Sequence, residues 1–578
     1  MTKLRLRCAV FALLCLPLAC NGGSSKIARD LNGIDPHSVV SVIVQFATPP
    51  DRAQQERVNQ VGGVEQAELP LVQGALISIP ARALGGLAND PNVVYISLDR
   101  QVEATLDYAN PTVDAEYGPP NGWDGTGVGV AVIDSGILQE NDLLSSTKAS
   151  NVSRIVYSQS FVPNVTSTAD QYGHGTHVAG IVAGNGTAST GSTYFKTFRG
   201  MAPNANLINL RVLDGNGVGT DSNVINAINA AIQLKNKYNI RIINLSLGRP
   251  VYESYALDPL CQAVEKAWKA GIVVVVAAGN QGRNQTTNGY ATITAPGNDP
   301  LVITVGAMKT ENSTSRSADL IASYSSKGPT LLDHVVKPDL VAPGNRIISL
   351  LASKSLIGSK SSVNDIPYSY YQSTSNKSYS ADYYRLSGTS MAAPMVSGAA
   401  AQMLTKDWSL TPETIKARLM KTASKSFPVY STAVDPVTGA SYTSQYDIFT
   451  IGAGYLDIWA ALNSTDTVPA GSSAASPVAV FNAATNTVTV VNANTAVWGT
   501  VAVWGTTAVW GTTAVWGTSV FVDGQTAVWG SSAVWGSVAV WGTGGTQANV
   551  AVWGTTAVWG TSATPGGETL SLLINGEN

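Results

Sequence analysis

Three short motifs in the middle of the chain carry side chains suited to nucleophilic catalysis. Asp134 ends the apolar run in AVIDSGI, His174 begins the small-residue stretch in YGHGTHVAGIVAG, and Ser390 lies in LSGTSMAAPMVSGAA. A serine hydroxyl is a weak nucleophile, so it requires a base such as histidine that accepts its proton and returns it to the leaving group. Each residue alone has a structural explanation, since aspartate often forms turns and serine often caps helices. The occurrence of all three motifs in one chain favours the chemical interpretation.

The three motifs closely resemble the catalytic motifs of the subtilisin-like serine proteases, and their order along the chain, Asp then His then Ser, is that family's order. The resemblance covers most of residues 120–460. It implies that Ser390 attacks a peptide carbonyl, that His174 is the general base and acid, and that Asp134 holds the imidazole. Gly388 would let the backbone pass close to substrate, and the Ser390 N–H at a helix start would meet the developing oxyanion.

Further segments resemble the parts of that family that stabilise the oxyanion and hold the substrate. The apolar run IVVVVAAGN ends in Asn280, which matches the family's side-chain donor to the oxyanion. NLSLG and DGNGVG resemble the two segments that hold an extended substrate as an added strand, and the glycine before Asn280 would lie by the pocket for the residue before the cleaved bond. The implied substrate-binding residues are Gly217, Ser246, Leu247, Gly248 and Gly279.

The resemblance implies no cofactor for catalysis, but structural calcium is common in the family. The carbonyl groups of Pro300 and Val302, together with Asp339 of KPDLVAPG, resemble one weak calcium site. Loops rich in acidic residues, which calcium sites commonly use, are not evident in the sequence. Structural calcium at these three residues is therefore an expectation that rests on the resemblance alone.

Two further titratable residues are expected to have structural roles. His177 follows His174 by three residues and lies on the same helical face, and the resemblance makes it a structural neighbour. Cys261 is the only cysteine outside the N-terminal leader, which excludes a disulfide framework. No catalytic signature surrounds it, so we interpret Cys261 as a small buried apolar residue.

The motifs lie in a region where strand and helix patterns alternate. Near-continuous apolar runs recur at GVGVAVID, ANLINLRVL, RIINLSLG, IVVVVAAGN and LVITVGAM, and helical patterns such as NVINAINAAIQLKNKY separate several of them. This rhythm predicts an α/β fold with a mainly parallel sheet covered by helices, and functional residues at the carboxyl ends of its strands. The resemblance implies the subtilisin-like three-layer fold for a catalytic domain at residues 108–464. The polar stretch 353–384 shows no periodicity and is interpreted as a surface insertion.

A small α+β unit is predicted before this domain, at residues 25–107. SVVSVIVQF, GALISIP and PNVVYISLD have the patterns of strands, and DRAQQERVNQVGG has that of a helix. The unit resembles the family's propeptide, which implies that it templates folding and inhibits the protease until it is cleaved off within residues 104–110. Slow folding of a large parallel sheet gives such a docked partner a physical purpose.

The first residues have the pattern of an export signal. MTKLRLR is basic, and CAVFALLCLPLAC continues with an apolar run that is shorter than the roughly 20 residues of a membrane span. We therefore predict a secretion signal at residues 1–20 and an extracellular location. A cell-surface lipoprotein attached through Cys20 is the alternative, although Pro17 stands where such signals usually carry leucine.

A repeat of Trp-Gly pairs dominates the C-terminal region, residues 465–578. Nine of the thirteen tryptophans lie there, many of them six residues apart, as in TAVWGTTAVWGTTAVWG. A spacing of six residues places the tryptophans of each run on one face of an extended chain, whereas a helix would scatter them. The pattern is typical either of a β-rich surface that contacts a polymer or cell surface, or of a low-complexity spacer. The repeat tryptophans are Trp498, Trp504, Trp510, Trp516, Trp529, Trp535, Trp541, Trp553 and Trp559.

Charge limits the classes of partner. The net charge is −3, only 13% of residues are charged, and neither lysine nor arginine occurs after Lys425. Nucleic acids and anionic membrane surfaces require clustered basic side chains, so the charge pattern argues against them as partners of the repeat region.

The sequence thus predicts an exported serine endopeptidase that acts on proteins or peptides and is made as a self-processing proenzyme, with its own propeptide as inhibitor. A rival hypothesis is a surface or matrix-binding protein that acts through the Trp repeat and has an inactive protease domain. The intact set of catalytic residues argues against this rival. A third hypothesis retains catalysis but restricts it to the maturation of one partner.

Overall fold

The computed structural model describes residues 26–28, 31, 34–50, 52–99, 101–104, 111–145, 152–310, 315–360, 364–435, 439–482, 487–491, 519–521, 574 and 577. The strands are β1 Val39–Phe46, β2 Val64–Leu69, β3 Gly74–Pro80, β4 Val93–Leu98, β5 Gln101–Ala104, β6 Gly129–Asp134, β7 Ile155–Ser160, β8 Asn206–Arg211, β9 Val218–Thr220, β10 Ile240–Leu245, β11 Leu247–Gly248, β12 Val273–Ala277, β13 Ile303–Lys309, β14 Leu320–Ile321, β15 Leu340–Pro343, β16 Ile347–Leu350, β17 Asp365–Pro367, β18 Tyr379–Leu386, β19 Tyr430–Val434, β20 Ser441–Gln445, β21 Val478–Asn482, β22 Thr487–Val491 and β23 Ser519–Phe521. The α-helices are α1 Arg52–Gln60, α2 Leu84–Ala88, α3 His174–Ala183, α4 Asp221–Tyr238, α5 Pro259–Lys269, α6 Leu356–Lys360, α7 Thr389–Lys406, α8 Pro412–Thr422, α9 Ile448–Ile451 and α10 Ile458–Asn463.

The N-terminal unit is a four-stranded sheet in the order β2-β3-β1-β4, with every neighbouring pair antiparallel. Alternate apolar side chains of β3, such as Ile77 and Ile79, enter a core of their own together with Val42 and Val44 of β1. The predicted strands and the predicted helix of this region are confirmed as β1, β3, β4 and α1. Its role as a propeptide stays a prediction.

The larger unit is built on an eight-stranded sheet in the order β14-β13-β12-β10-β6-β8-β7, with β15 paired to β13. All of these pairs are parallel except that of β13 with β14. Every residue of β6 and β12 is buried. Since successive side chains point to opposite faces, helices and loops must cover both faces of the sheet. Helices α3 and α7 pack against each other, as do α4 and α5, which confirms the predicted α/β class.

The interpretation of residues 353–384 as a surface insertion is wrong for part of this stretch, although residues 373–379 are exposed. This stretch contains α6 and β17 and most of β18, which pairs with both β16 and β17. Tyr371 and Tyr383 are buried, and both rings lie against Phe198, with centroids 5.2 and 4.9 Å away. The Tyr383 hydroxyl donates to Asp142 Oδ2 at 2.7 Å, so its polar end is also satisfied inside the domain. Tyrosines with partnered hydroxyl groups can form a core without the usual apolar pattern.

The C-terminal region begins with a three-stranded antiparallel sheet, β21-β22-β23. The repeat tryptophans lie outside the described residues, and so do residues 1–20 with Cys20. Among the residues that the structure describes, no helix is both long enough and apolar enough to cross a membrane.

Candidate active site

The predicted site residues follow three strands that are neighbours in the sheet. Asp134 is the last residue of β6, Ser246 follows β10, and Asn280 lies three residues beyond the end of β12. Because β6, β10 and β12 run parallel, their carboxyl ends meet at one edge of the sheet. Parallel α/β sheets commonly place functional groups at this edge, which is also the location predicted from the sequence.

His174 and Asp134 form a buried pair at this edge. His174 Nδ1 lies 2.6 Å from Asp134 Oδ1, and both side chains are at most 1% exposed. The N–H of Ser135 also donates to Asp134 Oδ1, at 2.7 Å. An Nδ1–H that donates to the carboxylate leaves Nε2 as the nitrogen that can accept a proton, which is the tautomer required of a general base.

Asp170 organises the loop that leads into α3, and sequence reasoning missed it. Its carboxylate accepts the N–H groups of Gly173 at 2.7 Å and Thr176 at 2.8 Å, and the hydroxyl group of Ser135 at 2.9 Å. Burial raises the pKa of this carboxyl, and the hydrogen bonds from Gly173 and Thr176 oppose that effect. An aspartate four residues before His174 was a detectable signal, because acidic side chains favour helix N-termini.

Ser390 is the second residue of α7, the helix that packs against α3. Its hydroxyl donates to the carbonyl of Ser246 at 3.0 Å, and the Ser246 hydroxyl donates to the Ser390 carbonyl at 2.6 Å. Gly388 precedes the helix with φ 152°, a value that non-glycine residues rarely adopt. The Ser390 N–H belongs to the first turn of the helix, where backbone N–H groups have no partner within the helix.

The side chain of Asn280 is oriented by Thr389, another residue that sequence reasoning missed. Asn280 Oδ1 accepts the Thr389 N–H at 2.9 Å and the Thr389 hydroxyl at 3.1 Å. With Oδ1 engaged in this way, Nδ2 is the atom through which Asn280 can donate to an oxyanion. Gly279 has φ 104°, and a Cβ there would lie 2.7 Å from Thr294 Cγ2, so the position requires glycine.

A strand from the N-terminal unit occupies the cleft between the two predicted substrate-binding segments. β5 pairs antiparallel with β11, with Ala104 opposite Leu247 and Glu103 opposite Gly248. On its other edge β5 pairs antiparallel with β9, which begins directly after Gly217. The three-stranded arrangement β11-β5-β9 is the one expected for an extended peptide added as a strand.

The two residues given structural roles are both buried. His177 Nε2 donates to the carbonyl of Tyr384 at 3.2 Å, and burial lowers the pKa of its imidazole to about 3. Cys261 Sγ lies 3.3 Å from Asn298 Oδ1, and burial raises the pKa of its thiol well above the usual value. A neutral imidazole and an un-ionised thiol fit structural roles.

The residues expected to bind calcium do not fit a calcium ion. The Lys416 ammonium group donates to the carbonyls of Pro300 at 2.7 Å and Val302 at 3.0 Å. Lys337 Nζ donates to Asp339 Oδ2 at 2.6 Å and to the Val302 carbonyl at 2.9 Å. These lysines already satisfy the oxygen atoms, and their charges would repel a divalent cation. No cluster of three or more His, Cys, Asp or Glu side chains suited to a metal occurs within the described part of the chain.

Serine peptidases on an α/β fold use a serine at a helix start, a histidine paired with a buried aspartate, and an amide that can donate to the oxyanion. Ser390, the pair of His174 and Asp134, and Asn280 held by the residue before Ser390 fit this set. Comparison with known proteins narrows this class. Residues 125–439 match the family model described as Peptidase_S8, the subtilase family. The chain belongs to the subtilase family and is a subtilisin-like serine endopeptidase.

Individual proteins that are similar to this chain are also serine proteases or enzymes related to subtilisin. The chain is 39% identical over 342 residues to serine protease AprX of Bacillus subtilis (strain 168), covering 58% of this chain and 70% of that protein. It is 32% identical over 367 residues to an extracellular serine proteinase of Thermus sp. (strain Rt41A), covering 62% of this chain and 72% of that protein. Fervidolysin from Fervidobacterium pennivorans, a keratinolytic enzyme related to subtilisin, shares the fold with a TM-score of 0.53 at 21% identity, covering 77% of this chain and 63% of fervidolysin.

Proposed function

We propose that this endopeptidase is exported as a proenzyme and removes its own N-terminal unit by cleavage directly after β5. The observation that carries the proposal is the position of β5 between β9 and β11. Ala104 is opposite Leu247, and Leu247 follows the residue whose carbonyl accepts the Ser390 hydroxyl. The end of β5 therefore lies at the nucleophile, as the acyl side of a substrate would. We expect cleavage within about two residues after Ala104, inside the predicted interval 104–110.

In the proposed mechanism, Ser390 is the nucleophile. His174 Nε2 takes the proton from the hydroxyl as Oγ attacks the peptide carbonyl, and Asp134 stabilises the imidazolium that forms. The negative oxygen of the tetrahedral intermediate accepts hydrogen bonds from the Ser390 N–H and Asn280 Nδ2. The imidazolium then gives its proton to the leaving amine, and water hydrolyses the acyl-enzyme by the same steps. The mechanism uses no cofactor.

Substrates bind in the proposed function as β5 does, as an extended strand. The backbones of β9 and β11 supply the ladder hydrogen bonds, which fix the register of a peptide without reading its side chains. Gly217 directly precedes β9, and Ser246, Leu247 and Gly248 form the opposite edge. The Gly279 N–H donates to the hydroxyl of Thr389, the residue before Ser390, at 3.1 Å. Export is supported by the basic and apolar leader and by the extracellular relative from Thermus.

The test compares the chain without residues 1–20 with its Ser390→Ala and Asn280→Ala variants. The unsubstituted chain should shorten itself and digest casein, and N-terminal sequencing should locate the new end within two residues after Ala104. Ser390→Ala should stay full length and inactive. Asn280→Ala should process slowly, because in subtilisin itself the loss of one oxyanion donor lowers turnover by about 10²–10³-fold.

Circular dichroism should show that all three proteins are folded. A folded, unsubstituted chain that remains full length and leaves casein intact would refute the proposed mechanism. A processed and active chain whose new N-terminus lies far from residue 104 would refute only the role of β5.

A further inference from the structure

A glutamate at the far end of the chain is buried in the catalytic domain. Glu577 is 1% exposed, and its Oε1 lies 2.8 Å from Arg283 Nη2. The Ser323 N–H donates to both carboxylate oxygens, at 3.0 and 3.2 Å, and the Ser323 hydroxyl donates to Oε1. Charge-assisted bonds of this kind are the strong ones, and together they satisfy a carboxylate that burial would otherwise destabilise.

The backbone of the same residue is recognised as well. Asn345 Nδ2 donates to the Glu577 carbonyl at 3.0 Å, and the Glu577 N–H donates to Asn345 Oδ1 at 3.0 Å. An amide side chain that pairs with both polar groups of one residue holds a peptide much as a neighbouring strand would. The pocket of Arg283, Ser323 and Asn345 therefore contacts both the charge and the main chain of Glu577.

The pocket is held in shape by contacts that do not involve the C-terminal region. Arg283 Nε donates to the Ser323 hydroxyl at 2.8 Å, and Arg283 also forms an ion pair with Asp435. The Gly282 N–H donates to the Tyr324 carbonyl at 2.8 Å, and the Tyr324 hydroxyl donates to the Gly344 carbonyl at 2.8 Å. These bonds connect the three loops that carry the pocket residues. A site that is already formed loses little entropy when it is filled.

Glu577 lies after the Trp-Gly repeat in the sequence, whereas β21 and β22 lie before it. The Trp-Gly repeat begins after β22, which pairs with β21, and β21 contacts the catalytic domain through a bridge between Val335 and Val478. We propose that the pocket of Arg283, Ser323 and Asn345 is a docking site for the C-terminal segment SLLINGEN of the same chain, with Glu577 as its anchor. The repeat is then attached to the catalytic domain at both ends. This docking does not depend on the proposed catalytic roles.

Hydrogen exchange at Ser323 tests the docking, because its amide donates to the Glu577 carboxylate. The measurement uses the full-length Ser390→Ala protein, which avoids self-digestion, and compares Glu577→Ala with Glu568→Ala. The control removes the same charge nine residues earlier in the sequence. In Glu577→Ala the Ser323 amide should exchange about tenfold faster or more, whereas in Glu568→Ala its rate should stay that of the parent. Equal rates in all three proteins would overturn the proposal.

A peptide experiment identifies the anchor and the origin of the docked segment. Added peptide SLLINGEN should restore slow exchange at Ser323 in Glu577→Ala, and SLLINGAN should not. Restoration by both peptides would overturn the role of the glutamate. In the parent, slow exchange should be independent of protein concentration. Protection that is lost on dilution, together with dimers in light scattering, would show that the segment comes from a second copy and would overturn attachment within one chain.

Discussion

At the scale of single residues, two histidines of helix α3 differ in their ability to carry a proton because they have different hydrogen-bond partners. His174 at the start of α3 pairs with the carboxylate of Asp134. His177, three residues further on, is buried with a backbone carbonyl as its partner, so burial lowers its pKa to about 3. The nearby imidazole of His174 lowers that pKa further. The carboxylate of Asp134 can stabilise an imidazolium at His174, whereas the buried surroundings of His177 keep its imidazole neutral.

The buried imidazole of His177 should make the protein less stable in acid. Its pKa is about 3 in the folded protein, against about 6.5 in an unfolded chain, so only the unfolded chain takes up the proton between these values. The contribution of His177 to the unfolding free energy should therefore fall by up to about 1.4 kcal/mol per pH unit between pH 6.5 and pH 3. Replacement of His177 by glutamine in the Ser390→Ala protein should remove this pH-dependent contribution to the unfolding free energy, which urea unfolding measures.

The difference in unfolding free energy between the parent and His177→Gln should thus narrow between pH 6 and pH 4. A second variant, His177→Asn, separates packing from titration: its stability at pH 7 can differ, but the narrowing should be the same. A difference that stays constant over this range would show that the imidazole is already charged in the folded protein.

At the scale of elements, helix α8 contributes a cation to a cluster of oxygen atoms from the strands. Lys416 lies in the middle of α8, and its ammonium group contacts the Pro300 and Val302 carbonyls and the Ser476 hydroxyl. Asp339, directly before β15, lies 3.2 Å from the same ammonium group. The lysine thus connects α8 to the start of β13, to β15 and to the chain leading into β21.

Lys416→Met should lower the unfolding free energy by about 3–5 kcal/mol, the usual loss when one partner of a buried ion pair is removed. The matched control is Lys421→Met on the same helix, where an exposed pair with Asp466 is worth no more than about 1 kcal/mol. Urea unfolding of the Ser390→Ala protein measures both. Because lysine supplies the cation in this cluster, excess EDTA should leave the stability difference between the parent and Lys416→Met unchanged. A calcium-dependent gain in stability that disappears in Asp339→Asn would contradict this assignment.

The same cluster shows what could be predicted from the sequence. Apolar periodicity is local, so the buried strands and the polar residues at their carboxyl ends could be predicted, with Asp134 and Asn280 as clear cases. The burial of the Lys416 ammonium group depends on contacts with residues more than a hundred positions away in the sequence. A local sequence pattern carries no information about such contacts. For the same reason the burial of Tyr383 could not be predicted, because its partners Phe198 and Asp142 lie even further away along the chain.

At the scale of the whole molecule, the N-terminal unit supplies hydrogen-bond partners to two helices of the catalytic domain, α4 and α5. The N-terminus of α4 has no capping bond from the side chain of Thr220, the residue directly before it. Asp99 supplies the cap instead, since its carboxylate accepts the Ser222 N–H and the Ser222 hydroxyl, each at 2.8 Å. Gln45 of the same unit donates to Gln262 of α5 at 2.6 Å. Together with β5 in the cleft, these contacts connect the unit to two helices and two strand edges.

Asp99→Ala should therefore weaken the binding of the N-terminal unit to the catalytic domain. The loss of a charged cap bonded to both donors of Ser222 should weaken docking about tenfold, because such a cap is worth about 1–2 kcal/mol. If the unit inhibits the protease after cleavage, as the resemblance to a propeptide implies, the lag before casein digestion begins should shorten in the refolded full-length variant. Asp35→Ala is the matched control, since Asp35 is an exposed residue of the same unit whose carboxylate accepts the N–H of the nearby His37. An unchanged lag in Asp99→Ala, with cleavage as fast as in the parent, would show that dissociation of this unit does not limit the onset of activity.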